Sequence, residues 1–243
     1  MPTNYARLLC LLILLQPLPA WAEALQLFSV EAPPLTSNEA GQHGLVGEVV
    51  LAALAAEKLD YVLHTPPWPR AQKQVQEGRD LLIMPLSRIP SREQLYTWIT
   101  PIYHVQRAFF SIGPPVRSMA EARLQLHKVG VGLGSAQHQQ LLDAGFRKDQ
   151  LLVLKINENP ALMLEMGRLD AWFNGIPEAR YFWGKVGKHE LRSSPPMAGN
   201  DLYLACSLEC DPELVDRLRR RLQQMQASGE VARIQARYAR YSQ

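Results

Sequence analysis

Short apolar segments alternate with amphipathic segments from residue 25 onward, and this alternation constrains the fold more than any other feature. Apolar runs at residues 25–30, 61–63 and 81–84 predict three strands. Between them, residues 46–54 and 69–77 carry apolar side chains at helical spacing. A strand–helix–strand–helix–strand order predicts a parallel sheet covered by helices, in which ligands bind at the carboxyl ends of the strands.

The alternation then starts again. Residues 109–112 lead through a Gly-Pro-Pro turn into residues 118–121, whose Ser-Met-Ala-Glu sequence is a capping box. Further strands are predicted at 129–131, 151–154 and 169–173, with a helix opening at Gly134 and another at residues 160–166. A second unit of the same class is the economical interpretation.

The C-terminal part returns to a single strand followed by helices. Residues 202–205 predict the strand, and apolar residues spaced from Leu214 to Met225 predict a helix. Gly229 interrupts the helical pattern, which resumes from Val231 to the end.

The N-terminus has the pattern of a cleaved export signal. Arg7 precedes an apolar run at residues 8–15, and Ala20 and Ala22 supply the small residues that a signal peptidase requires. Residues 1–22 are therefore predicted to be a signal peptide that sends the protein to the periplasm, without stable membrane insertion of the mature chain. A retained membrane anchor is the alternative, although the run is shorter than the roughly 18 residues that span a bilayer.

Charge and cysteine content limit the function further. Removing the leader takes away Arg7 and changes the formal charge from +3 to +2, which is too mild to indicate a nucleic-acid partner. Cys206 and Cys210 remain after processing, and an oxidising compartment favours a disulfide between them, with free thiols as the alternative. Their spacing resembles half of a zinc site, but no second pair of ligands follows, so neither a metal nor a cofactor is expected.

Several ordered motifs carry a family resemblance across nearly the whole mature chain. Residues 44–48 look like a first-helix entry, and residues 76–80 resemble a Gly-x-x-Asp element before a strand. Residues 87–92, 129–136 and 167–170 follow in the expected order. Together these motifs resemble the family 3 solute-binding proteins of the type associated with polar amino-acid ABC importers.

The resemblance implies an α/β, two-lobed periplasmic-binding-protein-like fold (type II), with lobes joined by two crossing hinge strands. The hinge strands are expected near residues 107–112 and 201–206. The implied division is residues 1–22 signal peptide, 23–110 first part of lobe 1, 111–201 lobe 2, and 202–243 second part of lobe 1.

Candidate ligand-binding residues follow from the same motifs. Arg92 matches the family arginine that grips a ligand carboxylate, a task suited to a planar guanidinium fork, although a solvated surface charge is the alternative. Ser87 matches a position beside that carboxylate. Ser135 precedes a predicted helix start that favours an anionic group, and a plain helix N-cap is an equal alternative. Trp68 falls at a strand-to-helix corner, where its ring could stack on a ligand or simply pack.

One departure from the family pattern concerns the ligand ammonium. Gly175 stands where amino-acid binders usually carry an aspartate, and the adjacent Asn174 is a further candidate ligand-binding residue but supplies no charge. A buried ammonium without a partner is unfavourable, so a standard amino acid is a less secure ligand. Glu31, just after the first strand, is the predicted replacement acid.

These features predict a monomeric protein that captures a small polar, carboxylate-bearing metabolite, such as an amino acid, and performs no covalent chemistry. An ABC permease is the expected partner, and a ligand-sensing adaptor for a membrane receptor is an alternative. The other alternative is a periplasmic enzyme of the same fold, similar to cyclohexadienyl dehydratase, for which Glu31, Glu178 and His104 are the candidate acids and bases.

Overall fold

The computed structural model describes residues 24–39, 41–155 and 158–241. The predicted signal peptide, residues 1–22, lies outside the described residues. Within them, no helix is both long enough and apolar enough to cross a lipid bilayer.

The first part of the chain forms a parallel sheet covered by helices, as its alternation predicts. Its elements are β1 (Leu25–Phe28), α1 (Gly44–Ala56), β2 (Tyr61–His64), α2 (Trp68–Glu77) and β3 (Leu82–Ser87). Strand β1 lies in the middle and pairs in parallel with both β2 and β3. The carboxyl ends of β1 and β3 therefore meet at one edge of the sheet.

A long strand, β4 (Thr97–Ser111), carries the chain into a second α/β unit. That unit contains α3 (Met119–Gln125), β5 (Val129–Gly132), α4 (Ala136–Asp143), β6 (Leu151–Leu154), α5 (Pro160–Glu165), β7 (Ala171–Gly175), α6 (Ile176–Val186) and β8 (Arg192–Ser193). Strand β5 pairs in parallel with β6 and β7. The second unit thus repeats the architecture of the first.

The chain returns to the first unit through β9 (Ala198–Cys206), which is followed by α7 (Pro212–Ala227) and α8 (Glu230–Ala236). Strand β9 pairs antiparallel along its whole length with the first part of β4, from Thr97 opposite Cys206 to Arg107 opposite Ala198. The strand order is β2-β1-β3-β9-β4-β7-β5-β6, with β8 beside β4. The two crossing strands therefore join both units into one continuous sheet.

The hydrophobic cores separate along the same line. We call the unit of β1–β3, α1, α2, α7 and α8 the first lobe, and the unit of α3–α6 and β5–β8 the second lobe. Buried residues from Leu27 to Val105 and from Leu202 to Val231 pack in the first lobe. Phe109, Phe173 and their neighbours pack in the second lobe. The predicted fold class is confirmed, while the predicted residue limits of the lobes stay a prediction.

The predicted disulfide is present in the structure. It joins Cys206 at the end of β9 to Cys210, which lies just before α7. The bond closes a short loop between β9 and α7 in the first lobe. Cys206 lies at the opposite end of β9 from Ala198.

Helix α6 is an element that the sequence analysis did not predict. It begins directly after β7, with Gly175 as its N-cap and Pro177 in its first turn, where the fixed φ of proline suits a helix. Trp183 and Ala179 bury one face of the helix against the second core. This direct strand-to-helix junction brings the first turn of α6 to the carboxyl end of β7.

Candidate functional site

A cavity lies between the two lobes, where the carboxyl ends of their strands face each other. Five of the six predicted ligand-binding residues line it: Trp68, Ser87, Arg92, Ser135 and Asn174. Further polar and aromatic lining residues are Arg107, Gln137, Lys155, Trp172, Glu178 and Phe182. The cavity is therefore apolar and aromatic on its walls, with a small number of charged groups.

Arg92 lies at the end of a 3-10 turn after β3 and is only 8% exposed. Its guanidinium donates to the Ser87 carbonyl at 3.2 Å and, across the cleft, to the Gly134 carbonyl at 2.8 Å. Burial lowers the pKa of Arg92. It takes part in none of the ion pairs of the described residues. An unpaired, desolvated guanidinium of this kind attracts an anion strongly.

Arg107 is a second buried guanidinium, placed by the crossing strand β4 and 2% exposed. It donates to the Ser87 hydroxyl at 3.0 Å and to the Asn200 side chain. Its Nε has no hydrogen-bond partner in the described part of the chain. The pKa of Arg107 is lowered to about 10, mainly by burial and also by the nearby charge of Arg92, while the charge of Glu178 acts in the opposite direction. Ser87 thus links the two guanidiniums, to one through its carbonyl and to the other through its hydroxyl.

Glu178 is the acidic group of the cavity. It lies in the first turn of α6 and is 8% exposed. Burial raises the pKa of the Glu178 carboxyl to about 7, although the charge of Arg107 and a hydrogen bond with Asn174 act in the opposite direction. The distance to Arg107 is too long for an ion pair, since none of the ion pairs of the described residues includes Glu178.

Asn174 and Gly175 form the end of β7 beside Glu178. The Asn174 side-chain oxygen accepts a hydrogen bond from Gln137 of α4 at 2.7 Å. A Cβ added to Gly175 would lie 2.8 Å from the Glu178 Oε2. The Glu178 carboxylate therefore occupies the space that a side chain at position 175 would need.

Ser135 is the N-cap of α4, which is the alternative to ligand binding that the sequence leaves open. Its hydroxyl accepts from the His138 amide at 3.2 Å and donates to the Gly132 carbonyl at 2.7 Å. The Ser135 hydroxyl thus already donates one hydrogen bond and accepts another. The N-terminus of α4 therefore offers a ligand mainly its partial positive charge and its backbone N–H groups.

The two lobes contact each other at the cavity mouth. The Gly134 carbonyl of the second lobe accepts from Arg92 and also from the Gln72 side-chain amide of α2, at 3.0 Å. Trp68 of the first lobe and Trp172 of the second lobe, both nearly buried, form opposite parts of the wall. These contacts describe a closed arrangement in which water is largely excluded from the charged groups.

The remaining candidates lie elsewhere. Glu31 does not line the cavity, and its carboxylate accepts from the Asn38 amide at 2.8 Å. His104 is exposed and contacts Asp201 at 2.7 Å on the neighbouring crossing strand. Of the three acids and bases considered for chemistry, Glu178 alone lines the cavity.

Two residues of the site were not assigned to ligand binding from the sequence. The sequence patterns place Arg107 at the start of a hinge strand and indicate Glu178 only as a candidate acid or base for catalysis. A possible signal for Arg107 is a charged residue at the start of the apolar run 108–110. No such signal existed for Glu178, because the helix that carries it was itself missed.

The comparisons with known proteins bear on the fold. No protein-family model matches the sequence, and no curated protein matches it either. Solved structures do match over most of the chain. One is a histidine kinase sensor domain with similarity to periplasmic binding proteins, with a TM-score of 0.79, 19% identity and coverage of 89% of this chain and 96% of that one.

Two further structures have the same architecture. The arginine-, lysine- and histidine-binding protein ArtJ of Geobacillus stearothermophilus has a TM-score of 0.77 at 15% identity, covering 88% of this chain and 94% of ArtJ. The ancestral amino-acid-binding protein AncCDT-1, a precursor of cyclohexadienyl dehydratase, has a TM-score of 0.75 at 18% identity, with coverages of 88% and 94%. At these identities the likeness establishes the fold, which is that of the two-lobed periplasmic binding proteins.

Proposed function

We propose that this protein is a periplasmic solute-binding protein that closes its two lobes on a small carboxylate-bearing metabolite and performs no covalent chemistry on it. The observation that carries the proposal is the pair of buried guanidiniums, Arg92 and Arg107, which face the interlobe cavity without a carboxylate partner among the described residues.

A buried cation without a counter-ion is unfavourable unless a ligand supplies the opposite charge. Arg92 can present a planar fork to both oxygens of a carboxylate, and the nearby start of α4 adds the positive end of a helix dipole. Trp68 and Trp172 supply apolar walls for the rest of a small molecule. The mixture of few charges and aromatic walls suits a polar metabolite with an organic body.

Closure of the lobes supplies affinity because a ligand between them contacts both at once. We further propose that the closed form delivers its ligand to a membrane partner, either an ABC permease or a receptor. Support comes from the fold shared with ArtJ and with a histidine kinase sensor domain. Retention of a permease or a receptor from membrane extracts on the immobilised protein, with and without ligand, distinguishes these two partners.

Thermal-shift screening of the mature protein against amino acids, polyamines and simple carboxylates tests the binding proposal. We expect stabilisation by a carboxylate-bearing compound and its loss in the Arg92→Gln variant. The matched control is Arg79→Gln, because the Arg79 side chain is 76% exposed. Stabilisation by polyamines alone, or unchanged affinity in Arg92→Gln, would contradict the proposal.

The second candidate function is a periplasmic lyase, and the position of Glu178 favours it. A buried carboxyl whose pKa is raised to about 7 is able to donate or accept a proton near neutral pH. The fold is shared with AncCDT-1, a precursor of a dehydratase. Incubation with prephenate or arogenate separates the two candidates: product formation by the wild type and its loss in Glu178→Gln would establish the enzyme.

A further inference from the structure

We infer that Glu178 binds the cationic group of the ligand, and that the ligand is therefore a zwitterion whose remaining part is neutral or acidic. This inference rests on the proposed binding function and narrows its ligand class. The acid that binds the ligand ammonium then lies on α6. The residue at the end of β7 cannot supply that acid, because position 175 is glycine.

The first argument is the space around Gly175. A Cβ at this position would lie 2.8 Å from the Glu178 Oε2 and 3.0 Å from a methyl carbon of Val105. Both distances are shorter than ordinary van der Waals contact, so the pocket beside Gly175 is already filled by the Glu178 carboxylate. The absence of a side chain at 175 and the presence of an acid at 178 are thus two parts of one arrangement.

The second argument is that the carboxylate lacks a counter-ion. Glu178 is 8% exposed and lines the cavity, and it joins no ion pair within the described residues. Arg107 is near enough to influence its charge but does not pair with it. A buried acid without an ion-pair partner is stabilised in its ionised form when a ligand ammonium binds next to it.

The third argument concerns the charge of the whole cavity. Arg92 and Arg107 are buried cations, Glu178 is a buried acid, and Lys155 adds a positive charge at the exposed rim. A ligand with one carboxylate and one ammonium has no net charge, so the occupied cavity keeps a net positive charge. A second cation on the ligand is therefore disfavoured. Ligands with a neutral or acidic side chain are therefore preferred over lysine and arginine.

The test uses pairs of compounds that differ only in the amino group. L-glutamate is compared with glutarate, L-glutamine with glutaramate, and L-phenylalanine with 3-phenylpropanoate, by titration calorimetry on the mature protein. For the pair that binds tightest, we expect at least tenfold higher affinity for the amino acid. Glu178→Gln should remove this preference by weakening amino-acid binding at least tenfold, while binding of the deaminated acid is retained or improved.

A charge relocation makes the test specific to position. In the double variant Gly175→Asp with Glu178→Ala, the shortened residue 178 frees the space beside residue 175, and Val105 has to move by only a few tenths of an ångström. We expect this variant to regain a preference for the amino acid that the matched control, Gly175→Ala with Glu178→Ala, lacks. Glu190→Gln, at a side chain that is 77% exposed, is the control for surface charge.

The outcomes separate this inference from the function on which it rests. Equal binding of both members of each pair, or an amino-acid preference that survives in Glu178→Gln, would overturn the role of Glu178. If deaminated acids alone bind and Arg92→Gln abolishes that binding, the inference fails and the binding function stands. If neither zwitterions nor carboxylates bind, both fail.

Discussion

The cavity has a basic side and an acidic side, and the protein holds their charged groups differently. On the basic side, Arg92 of the first lobe and Arg107 of the crossing strand β4 both form hydrogen bonds with Ser87, so both guanidiniums are fixed by the protein itself. On the acidic side, Glu178 of the second lobe shares a hydrogen bond with Asn174 and has no cation within ion-pair distance among the described residues.

This difference shows which half of the site is complete before a ligand arrives. The basic side is preorganised for an anion, which reduces the entropy lost on binding. The acidic side carries an ionisable group whose charge is unfavourable until a cation is present. We therefore expect the basic side to determine whether a ligand binds, and the acidic side to determine which ligand binds and at which pH.

The largest expected effect comes from removing both charges. Arg92→Gln and Glu178→Gln should each weaken zwitterion binding by about 10- to 100-fold, and the double variant by about a thousandfold, since charged hydrogen bonds contribute roughly 1.5–3 kcal/mol. Titration calorimetry of all four proteins gives the coupling energy. If Arg92 and Glu178 bind opposite ends of the ligand, the coupling energy should be below about 0.5 kcal/mol. A coupling energy above about 1 kcal/mol would contradict independent binding of the two ends.

The unliganded protein should show a pH-dependent stability that Glu178→Gln removes. The pKa of Glu178 is about 7 in the fold against an ordinary value of 4.5, so the folded state holds this proton more tightly than the unfolded state. Stability from this group is present below pH 4.5 and is lost as the pH rises to about 7, by about 3 kcal/mol at most. Denaturant unfolding at pH 4.5 and pH 8 measures the difference between the wild type and the variant, and an equal change in both contradicts the assignment.

Zwitterion affinity should depend on pH in the opposite sense. Binding of a ligand ammonium requires the ionised carboxylate, so affinity should fall by up to about tenfold per pH unit below pH 7, with Arg107 and Asn174 as the groups that face the carboxyl. In Glu178→Gln the affinity should be nearly constant from pH 5.5 to 8. A wild-type affinity that is also constant over this range would show that Glu178 does not contact the ammonium.

The disulfide is expected to stabilise the first lobe without affecting the cavity. A loop this short stabilises a fold by about 2 kcal/mol in the chain-entropy description. The double variant Cys206→Ser with Cys210→Ser should lower the unfolding free energy by about that amount and leave ligand affinity unchanged. A changed affinity would show that the end of β9 is coupled to the site.

The smallest effect concerns the contact between Gln72 and the Gly134 carbonyl. This hydrogen bond exists only while the lobes are together, and its loss in Gln72→Leu removes about 1 kcal/mol from the closed state. We expect an affinity decrease of about fivefold, seen mainly as faster ligand release in stopped-flow experiments. Gln76→Leu is the matched control, because Gln76 bonds Tyr96 within the first lobe. Equal ligand-release rates in Gln72→Leu and Gln76→Leu would show that the hydrogen bond between Gln72 and Gly134 does not stabilise the closed state.

Much of the fold was predictable because it depends on local periodicity. The strands β1, β2, β3, β5 and β6 are short apolar runs bounded by turn residues, and the pattern of such runs is visible in any window of the chain. The length of β4 was not visible, since Pro101 and the polar residues before Arg107 interrupt its apolar pattern. Pairing with β9, which is distant in sequence, keeps these residues in one strand.

Local patterns and motifs of fixed spacing are enough to predict the class of the fold, to favour a disulfide over free thiols, and to nominate Arg92 and Ser87 as anion-binding candidates. Which acid faces the cavity depends on contacts that exist only in the folded protein. The sequence favours Glu31, yet the Glu31 carboxylate accepts from the Asn38 amide, while α6 carries Glu178 into the space left by Gly175. Burial and charge neighbours, which tune an acid for binding, arise from contacts between distant segments and have no local signature.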